Sequence, residues 1–307
     1  MNATPKPAPP RSAASPGAGA PREPFGARLR RAMDERGPLC VGIDPHPSLL
    51  ADWGLPDDPQ GLERFAGTVV EALAGRVAAL KPQAAFFERF GSRGIAVLER
   101  AVAEARAAGA LVIMDAKRGD IGSTMTAYAE AYLGEGAPLF SDAVTLSPYL
   151  GFGALRPALD LARANGCGVF VLARTSNPEG AEVQTATTAA GRQVGQEVLE
   201  RLAAENAGAR PLGSFGAVVG ATLAAEPGEG GGVPGEWLAI NGPLLAPGIG
   251  AQGAAAADLP RVFGPALSRV VPHVSRGVLR HGPHLAALRE AAAREAGQIA
   301  RVAGSGA

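Results

Sequence analysis

The sequence has little of several features that mark whole classes of proteins. Two cysteines, Cys40 and Cys167, stand far apart among 307 residues, and neither belongs to a metal-ligand pattern. A disulfide framework is therefore not expected, no Cys/His cluster supports zinc, and a reducing compartment, the cytoplasm, fits best. Aromatic residues make up 5% of the chain, so its core must pack mainly small aliphatic side chains.

The chain also lacks an excess of charge of either sign. Lys and Arg number 29 and Asp and Glu number 29, so no global field attracts nucleic acid or an anionic membrane surface. No apolar run is long enough to span a membrane, and the N-terminus lacks the apolar core of a signal peptide. An anionic ligand must therefore be held by local donors.

The first 22 residues are rich in Pro, Ala and Gly. Such a composition cannot bury enough apolar surface to fold, so residues 1–22 are predicted to be a disordered tail. The remainder, 23–307, is predicted to be one domain.

Short apolar runs alternate with longer stretches that carry apolar residues at helical spacing. Buried strands that alternate with crossover helices predict a parallel sheet, and eight repeats favour a closed (β/α)8 TIM barrel over an open doubly wound sheet. The stretch 224–243 is too rich in Gly and Pro for a full helix, so a loop with a short helix around Trp237 is expected there. The candidate strands are 39–44, 78–87, 111–117, 143–147, 168–175, 216–222, 244–249 and 270–275.

Charged residues end three consecutive candidate strands. Asp115 and Lys117 are two residues apart, so on an extended strand both point to the same face. Asp44 and Lys81 end the two preceding strands and are expected to be their neighbours. A structural ion pair at the barrel rim is the simpler interpretation, but four charges converging on one pocket favour a catalytic site.

Two further segments have a functional and a purely structural interpretation. Asp120 could mark a helix start, with Ser123 or Thr124 as the cap, or it could reach across a dimer interface. The segment 247–253, Pro-Gly-Ile-Gly-Ala-Gln-Gly, is either a plain turn or a phosphate cradle. Arg276 after the eighth strand supplies a forked cation where such barrels bind phosphate, which favours the cradle.

Together these residues resemble the orotidine 5′-phosphate decarboxylase family, in particular its longer bacterial branch. The central motif is Asp-Ala-Lys-Arg-Gly-Asp at 115–120, which matches a signature shared with related sugar-phosphate decarboxylases. The resemblance extends over nearly the whole chain after the tail. The motifs that make it specific are Val-Gly-Ile-Asp at 41–44, Lys-Pro-Gln at 81–83, Arg-Thr-Ser-Asn-Pro at 174–178, the segment 247–253, and Ser-Arg-Gly at 275–277.

The resemblance implies a decarboxylase that converts orotidine 5′-monophosphate to UMP without a metal or organic cofactor. By position, Lys117 would be the proton donor to C6, and Asp115 would lie where the substrate carboxylate must go. Lys81 would join this charge network. Asp120 would act in the neighbouring subunit's site, which implies a homodimer with shared active sites.

The resemblance also implies the substrate contacts. Asp44 and Lys81 would contact the ribose hydroxyls, Ser176 would recognise the pyrimidine, and Thr124 would serve the neighbouring subunit together with Asp120. The 5′-phosphate would be held by Gln252 and Arg276.

Two other functions stay open at this point. The first is a Mg²⁺-dependent 3-keto-hexulose-phosphate decarboxylase or synthase on the same barrel, which needs carboxylates around a metal. Lys81 argues against it, because it stands where such a site would want Glu or Asp. The second is a non-catalytic barrel that senses a phosphorylated ligand, although binding alone does not require an inward ammonium such as that of Lys117.

Overall fold

Eight parallel strands close into a single barrel, each pairing with its neighbour in chain order and β1 pairing with β8. The structure is a computed structural model and describes residues 22–223, 233–250 and 253–304. The predicted TIM barrel is therefore confirmed. The strands are β1 (Cys40–Ile43), β2 (Ala79–Pro82), β3 (Leu111–Arg118), β4 (Ala143–Leu146), β5 (Gly168–Arg174), β6 (Phe215–Val219), β7 (Leu244–Ala246) and β8 (Val270–Val274).

Helices surround this barrel and connect its strands, and several short ones lie in the loops. Among the described residues no helix has both the length and the apolarity that crossing a membrane requires. The α-helices are α1 (Phe25–Arg36), α2 (Pro47–Asp52), α3 (Pro59–Leu73), α4 (Ala85–Glu88), α5 (Gly91–Ala107), α6 (Gly122–Leu133), α7 (Arg156–Ala164), α8 (Gly180–Gln184), α9 (Val194–Glu205), α10 (Leu259–Phe263), α11 (Arg276–Leu279) and α12 (Leu285–Gly304).

Helix α3 illustrates how local sequence sets an element of the outer layer. Asp58 is its N-cap, and the Asp58 carboxylate accepts a hydrogen bond from the backbone N–H of Gly61. Pro59 follows at the first helical position, where its missing N–H costs nothing. Apolar residues at helical spacing, among them Phe65 and Val69, are buried against the barrel wall. The N-cap therefore sets where α3 begins, and the spacing of its apolar residues sets which face packs against the barrel.

The barrel interior is closed at its N-terminal end by helix α1. Phe25, Leu29 and Met33 project from one face of α1 and pack against inward-facing strand residues such as Phe170. The Phe25 and Phe170 rings meet edge to face at 6.0 Å. Because α1 plugs this end with apolar side chains, a polar cavity can open only at the opposite end.

Asp142, just before β4, holds the segment that leads into α1 against the barrel. Its buried carboxylate accepts the backbone N–H of Val112 at 2.9 Å and forms ion pairs with Arg22 and Arg28. Arg22 is the last residue of the predicted tail, yet its side chain contacts the barrel. The rest of that tail, 1–21, lies outside the described residues.

Two sequence expectations are refined by the structure. The second strand was expected over 78–87, but β2 ends at Pro82 and the chain turns into α4, because Ala84 already has helical backbone angles. In the connection between β6 and β7, the short helix expected around Trp237 is the 3-10 helix Gly235–Leu238. Residues 224–232 of that connection lie outside the described residues.

Candidate active site

A cavity of about 410 Å³, lined by charged and polar side chains as well as apolar ones, opens at the C-terminal end of the barrel. Its floor is made by inward side chains of the strands and its walls by the loops that follow them. This is where enzymes of this architecture place their reacting groups. The lining residues are Asp44, His46, Lys81, Gln83, Phe86, Asp115, Lys117, Thr145, Leu172, Thr175, Ser176, Asn177, Val218, Leu245, Pro247, Gly248, Ile249, His273, Ser275 and Arg276.

Two ammonium groups share one carboxylate at the floor of this cavity. Lys81 Nζ lies 2.5 Å from Asp115 Oδ2, and Lys117 Nζ lies 2.7 Å from Asp115 Oδ1. Lys81 is 3% exposed and Asp115 is 8% exposed, whereas Lys117 is 45% exposed and faces the open part of the cavity. The predicted convergence of these three residues is therefore observed.

The two buried charges of this cluster depend on each other. Burial alone lowers the pKa of Lys81, but the carboxylates of Asp115 and Asp44 outweigh it, so the pKa of Lys81 lies above its ordinary value. Burial alone raises the pKa of Asp115, but the ammonium groups of Lys81 and Lys117 outweigh it and hold this pKa well below the usual carboxyl range. Lys81 and Asp115 are therefore both charged at neutral pH.

Thr145 on β4 links the backbone of Lys117 to the carboxylate of Asp115. The Thr145 hydroxyl accepts the backbone N–H of Lys117 at 2.9 Å and donates to Asp115 Oδ1 at 2.9 Å. Lys117 has a φ of 48°, a left-handed conformation that is uncommon for a residue with a side chain, and the β3–β4 pairing shifts register between Met114 and Arg118. The irregular end of β3 thus delivers the Lys117 amine to the cavity, where Asp115 binds the amine and Thr145 holds the Lys117 backbone.

Asp44 lies on the same cavity, 4% exposed, as expected from its strand. It forms no ion pair within 4.0 Å among the described residues, so its effect on Lys81 is through space rather than by contact. One of its oxygens, Oδ1, is buried without a hydrogen-bond partner in the described structure. Asp44 is thus a neighbour of Lys81, as predicted, but the carboxylate that contacts Lys81 directly is that of Asp115.

Asp120 and Thr124 do not line this cavity. The Asp120 carboxylate accepts the N–H of Ile121 at 2.8 Å, and Thr124 is exposed in the first turn of α6. The N-cap residue of α6 is Ile121, whose side chain makes no capping hydrogen bond. The suggestion that Ser123 or Thr124 caps this helix is therefore wrong. The reason is that α6 already begins at Gly122, whereas a cap at Ser123 or Thr124 would start the helix two or three residues later.

The loops that follow β5, β7 and β8 form the opposite wall of the cavity. Ser176 is half-buried, and Arg276 is exposed toward the opening. Pro247, Gly248 and Ile249 complete this wall, and Gly248 has a φ of 108°, a conformation available to glycine. Gln252, the other expected phosphate contact, lies outside the described residues.

Several lining residues were missed by reasoning from the sequence. Thr145, His273 and Asn177 carry no charge at neutral pH, so the search for charged strand ends passed over them. His273 lines the cavity floor. The alternation of side chains along a strand could have identified two of them. Residues two apart face the same side, and Thr145 stands two residues after the buried Ala143, as His273 does after Val271.

The donor set of the cavity fits an anionic ligand better than a resident metal. Among the described residues no group of three or more His, Cys, Asp or Glu could hold a metal ion. The carboxylate Asp115 is already engaged by two ammonium groups, which are not metal ligands when protonated. An anion that reaches the opening meets Lys117 and Arg276 instead.

Comparison with known proteins gives one consistent result. Residues 37–291 match the model of the "Orotidine 5'-phosphate decarboxylase / HUMPS family". A curated orotidine 5′-phosphate decarboxylase of Streptomyces coelicolor is 73% identical over 277 residues, which are 90% of this chain and 97% of that protein. Another from Salinispora arenicola is 65% identical over 272 residues, which are 89% and 95% of the two chains.

A solved structure agrees with these relatives. The crystal structure of a candidate orotidine 5′-phosphate decarboxylase from Streptomyces avermitilis superposes with a TM-score of 0.88 at 68% identity. The match covers 95% of this chain and 100% of that one.

Proposed function

This chain belongs to the orotidine 5′-phosphate decarboxylase / HUMPS family, and we propose that it converts orotidine 5′-monophosphate to UMP and CO₂ in pyrimidine biosynthesis. It is thus a carboxy-lyase. The observation that carries this proposal is the Lys81–Asp115–Lys117 cluster on the floor of a cavity whose opening carries Arg276. A carboxylate flanked by ammonium groups, with a cation at the far end, suits a nucleotide with a carboxyl group on its base.

The same cluster supplies the steps of the reaction. The bond between C6 and the carboxylate breaks, CO₂ leaves, and the electron pair stays on C6 as a carbanion. The Lys117 ammonium stabilises that charge and then gives a proton from Nζ to C6, which leaves a neutral amine. Asp115 and Lys81 keep Lys117 oriented, and Asp115 also repels the substrate carboxylate in the ground state.

The direct test of this function is a spectroscopic assay with purified protein. Loss of orotidine 5′-monophosphate absorbance is expected, with UMP as the product, and the rate should not change when EDTA is added. A rate that EDTA abolishes and Mg²⁺ restores would favour the metal-dependent sugar-phosphate branch of the same family. Ligand binding without turnover would instead favour a non-catalytic sensor.

Asp120 and Thr124 point to an assembly, because both lie away from their own cavity. Large apolar side chains are exposed on the loops after β3 and β4: Ile121, the residue after Asp120, is 62% exposed and Tyr149 is 79% exposed. Apolar groups of this size on adjacent loops mark a surface that another chain covers. The proposed partner is a second copy, in a homodimer whose Asp120 and Thr124 enter the neighbouring site.

Mixing two inactive variants tests this shared site. Lys117→Ala and Asp120→Ala homodimers should each be inactive, and their mixture should regain activity, because a heterodimer contains one site with both wild-type residues. At equal amounts, one site in four is expected to be intact. Subunit exchange must be verified with a tagged chain; no recovery in exchanged dimers would contradict the shared site.

The phosphate is assigned to the wall that contains Arg276 and the glycine-rich segment after β7. A guanidinium donates two parallel hydrogen bonds to a phosphate, and Gly248 brings backbone close to it. Gln252 is the proposed second contact. Ser176 is proposed to bind the pyrimidine, and Asp44 the ribose hydroxyls together with Lys81.

Replacing Arg276 by alanine should therefore weaken substrate binding. The KM is expected to rise by one to two orders of magnitude, which corresponds to about 1.5–3 kcal/mol for a charged hydrogen bond. Arg280→Ala is the matched control, since Arg280 is exposed one turn further along and does not line the cavity. An unchanged KM in the Arg276 variant would contradict the phosphate assignment.

The cytoplasm is the proposed location. Cys40 and Cys167 are both free and buried, which suits a reducing compartment.

A further inference from the structure

Three side chains converge over the backbone of Gly42, at the seam where β1 pairs with β8. A Cβ placed on Gly42 would lie 2.8 Å from Asp44 Oδ2, 2.9 Å from His273 Nε2 and 2.9 Å from the Cβ of Ser275. Only glycine fits there without displacing these neighbours. Asp44, His273 and Ser275 all line the cavity floor, so the convergence faces the substrate side of the barrel.

Each of these three side chains has a buried polar atom that lacks a protein partner in the described structure: Asp44 Oδ1, His273 Nε2 and Ser275 Oγ. A buried polar atom that stays unpaired destabilises the fold, so three of them on neighbouring side chains are not expected by chance. A carboxylate accepts, a hydroxyl donates and accepts, and a neutral imidazole nitrogen does one or the other. One hydroxyl oxygen can satisfy such a set, because a bound water or alcohol makes two to four hydrogen bonds.

We propose that His273, together with Asp44 and Ser275, forms a subsite for one hydroxyl oxygen, and that His273 is a positioning residue that orients the Asp44 carboxylate through this oxygen. The proposal rests on the proposed function, in which Asp44 contacts the ribose. The oxygen belongs either to an ordered water or to a ribose hydroxyl of the nucleotide. Both have the same chemistry, and the ligands used in the test separate them.

The surroundings of His273 suit this role. Its side chain is buried, and this burial, reinforced through space by the ammonium groups of Lys81 and Lys117, lowers the pKa of the imidazole well below its usual value although the Asp115 carboxylate opposes it. The ring is therefore neutral at the pH of catalysis. A neutral ring neither repels the two ammonium groups nor competes with them for Asp115, and its Nε2 is free to serve the hydroxyl oxygen.

The test measures the binding of UMP and of its 2′-deoxy and 3′-deoxy analogues by titration calorimetry. His273→Val removes the nitrogen, and His273→Gln offers an amide nitrogen in its place. The Val variant is expected to bind UMP about tenfold more weakly, the loss of one hydrogen bond, and the Gln variant should recover most of that loss. His284→Gln is the matched control, since His284 is exposed and away from the cavity.

The analogues identify the oxygen. If it is a water, the Val substitution weakens the binding of all three ligands equally. If it is a ribose hydroxyl, the effect of the substitution disappears for the one analogue that lacks this hydroxyl. Either pattern supports the subsite, whereas UMP binding as tight in His273→Val as in the wild type overturns it. Ser275→Ala, a smaller change, gives the same comparison should the Val variant not fold.

Failure of the proposed function would look different. A wild-type protein that neither binds UMP nor consumes orotidine 5′-monophosphate overturns that function without reference to His273. The subsite is then judged by a high-resolution crystal structure of the free protein. An ordered oxygen within hydrogen-bond distance of the three atoms supports it, and an empty position overturns it.

Discussion

Replacing Lys117 by alanine is expected to abolish UMP formation while the barrel stays folded. The amine supplies both the charge that stabilises the carbanion and the proton that quenches it, and together these effects amount to roughly 10⁴–10⁷ in rate. Lys117 is 45% exposed, and Asp115 keeps Lys81 as its partner, so the melting temperature should change little. Turnover by absorbance and a thermal melt measure the two effects separately.

Lys117→Arg is the matched variant, because it keeps a positive charge but cannot give up a proton near neutral pH. We expect it to bind UMP better than the alanine variant does and to remain nearly inactive. Turnover within tenfold of the wild type in either variant would remove Lys117 from the role of proton donor.

The second large effect is expected at Asp115. Asp115→Asn keeps the shape of the side chain but leaves the Lys81 ammonium, 3% exposed, without its partner. An uncompensated buried charge costs about 3–5 kcal/mol, so the free energy of unfolding should fall by roughly that amount and turnover should be lost. Chemical denaturation and the absorbance assay measure these losses.

The pH dependence of stability gives the sharper result for this variant. In the wild type the lowered pKa of Asp115 adds stability that is complete above the ordinary carboxyl value of 3.8 and is lost as pH falls through the lowered pKa. The raised pKa of Lys81 adds stability that is complete below 10.5 and is lost as pH rises through the raised pKa. The cluster thus stabilises the wild type across the whole range between 3.8 and 10.5.

In Asp115→Asn, the effect of burial on Lys81 is opposed chiefly by the Asp44 carboxylate, so the pKa of Lys81 is expected to drop below its unfolded value. The unfolded chain then binds more protons than the native one, and stability should rise with pH in the alkaline range below 10.5. Asp160→Asn is the matched control, because Asp160 is 56% exposed and its ion pairs with Arg156 and Arg163 lie at the surface. An equally flat pH profile in both variants would contradict the dependence of Lys81 on Asp115.

The sequence by itself determined the barrel and the chemical character of its cavity. Alternation of apolar runs and helical stretches is a local property, and inward or outward orientation on a strand follows from a period of two. Asp115 and Lys117 could therefore be placed side by side on one strand, with Lys81 on the adjacent, preceding strand. The family resemblance rested on the same short motifs, and it is confirmed by the relatives that match.

Only the tertiary structure decided which of these residues touch. The left-handed backbone of Lys117, its link through Thr145, and the turn that carries Asp120 away from its own cavity depend on the register of β3 against β4. The convergence of Asp44 and His273 over Gly42 joins residues more than 200 positions apart. Local patterns carry no information about such contacts, because strand register and loop direction are set by how the closed barrel packs as a whole.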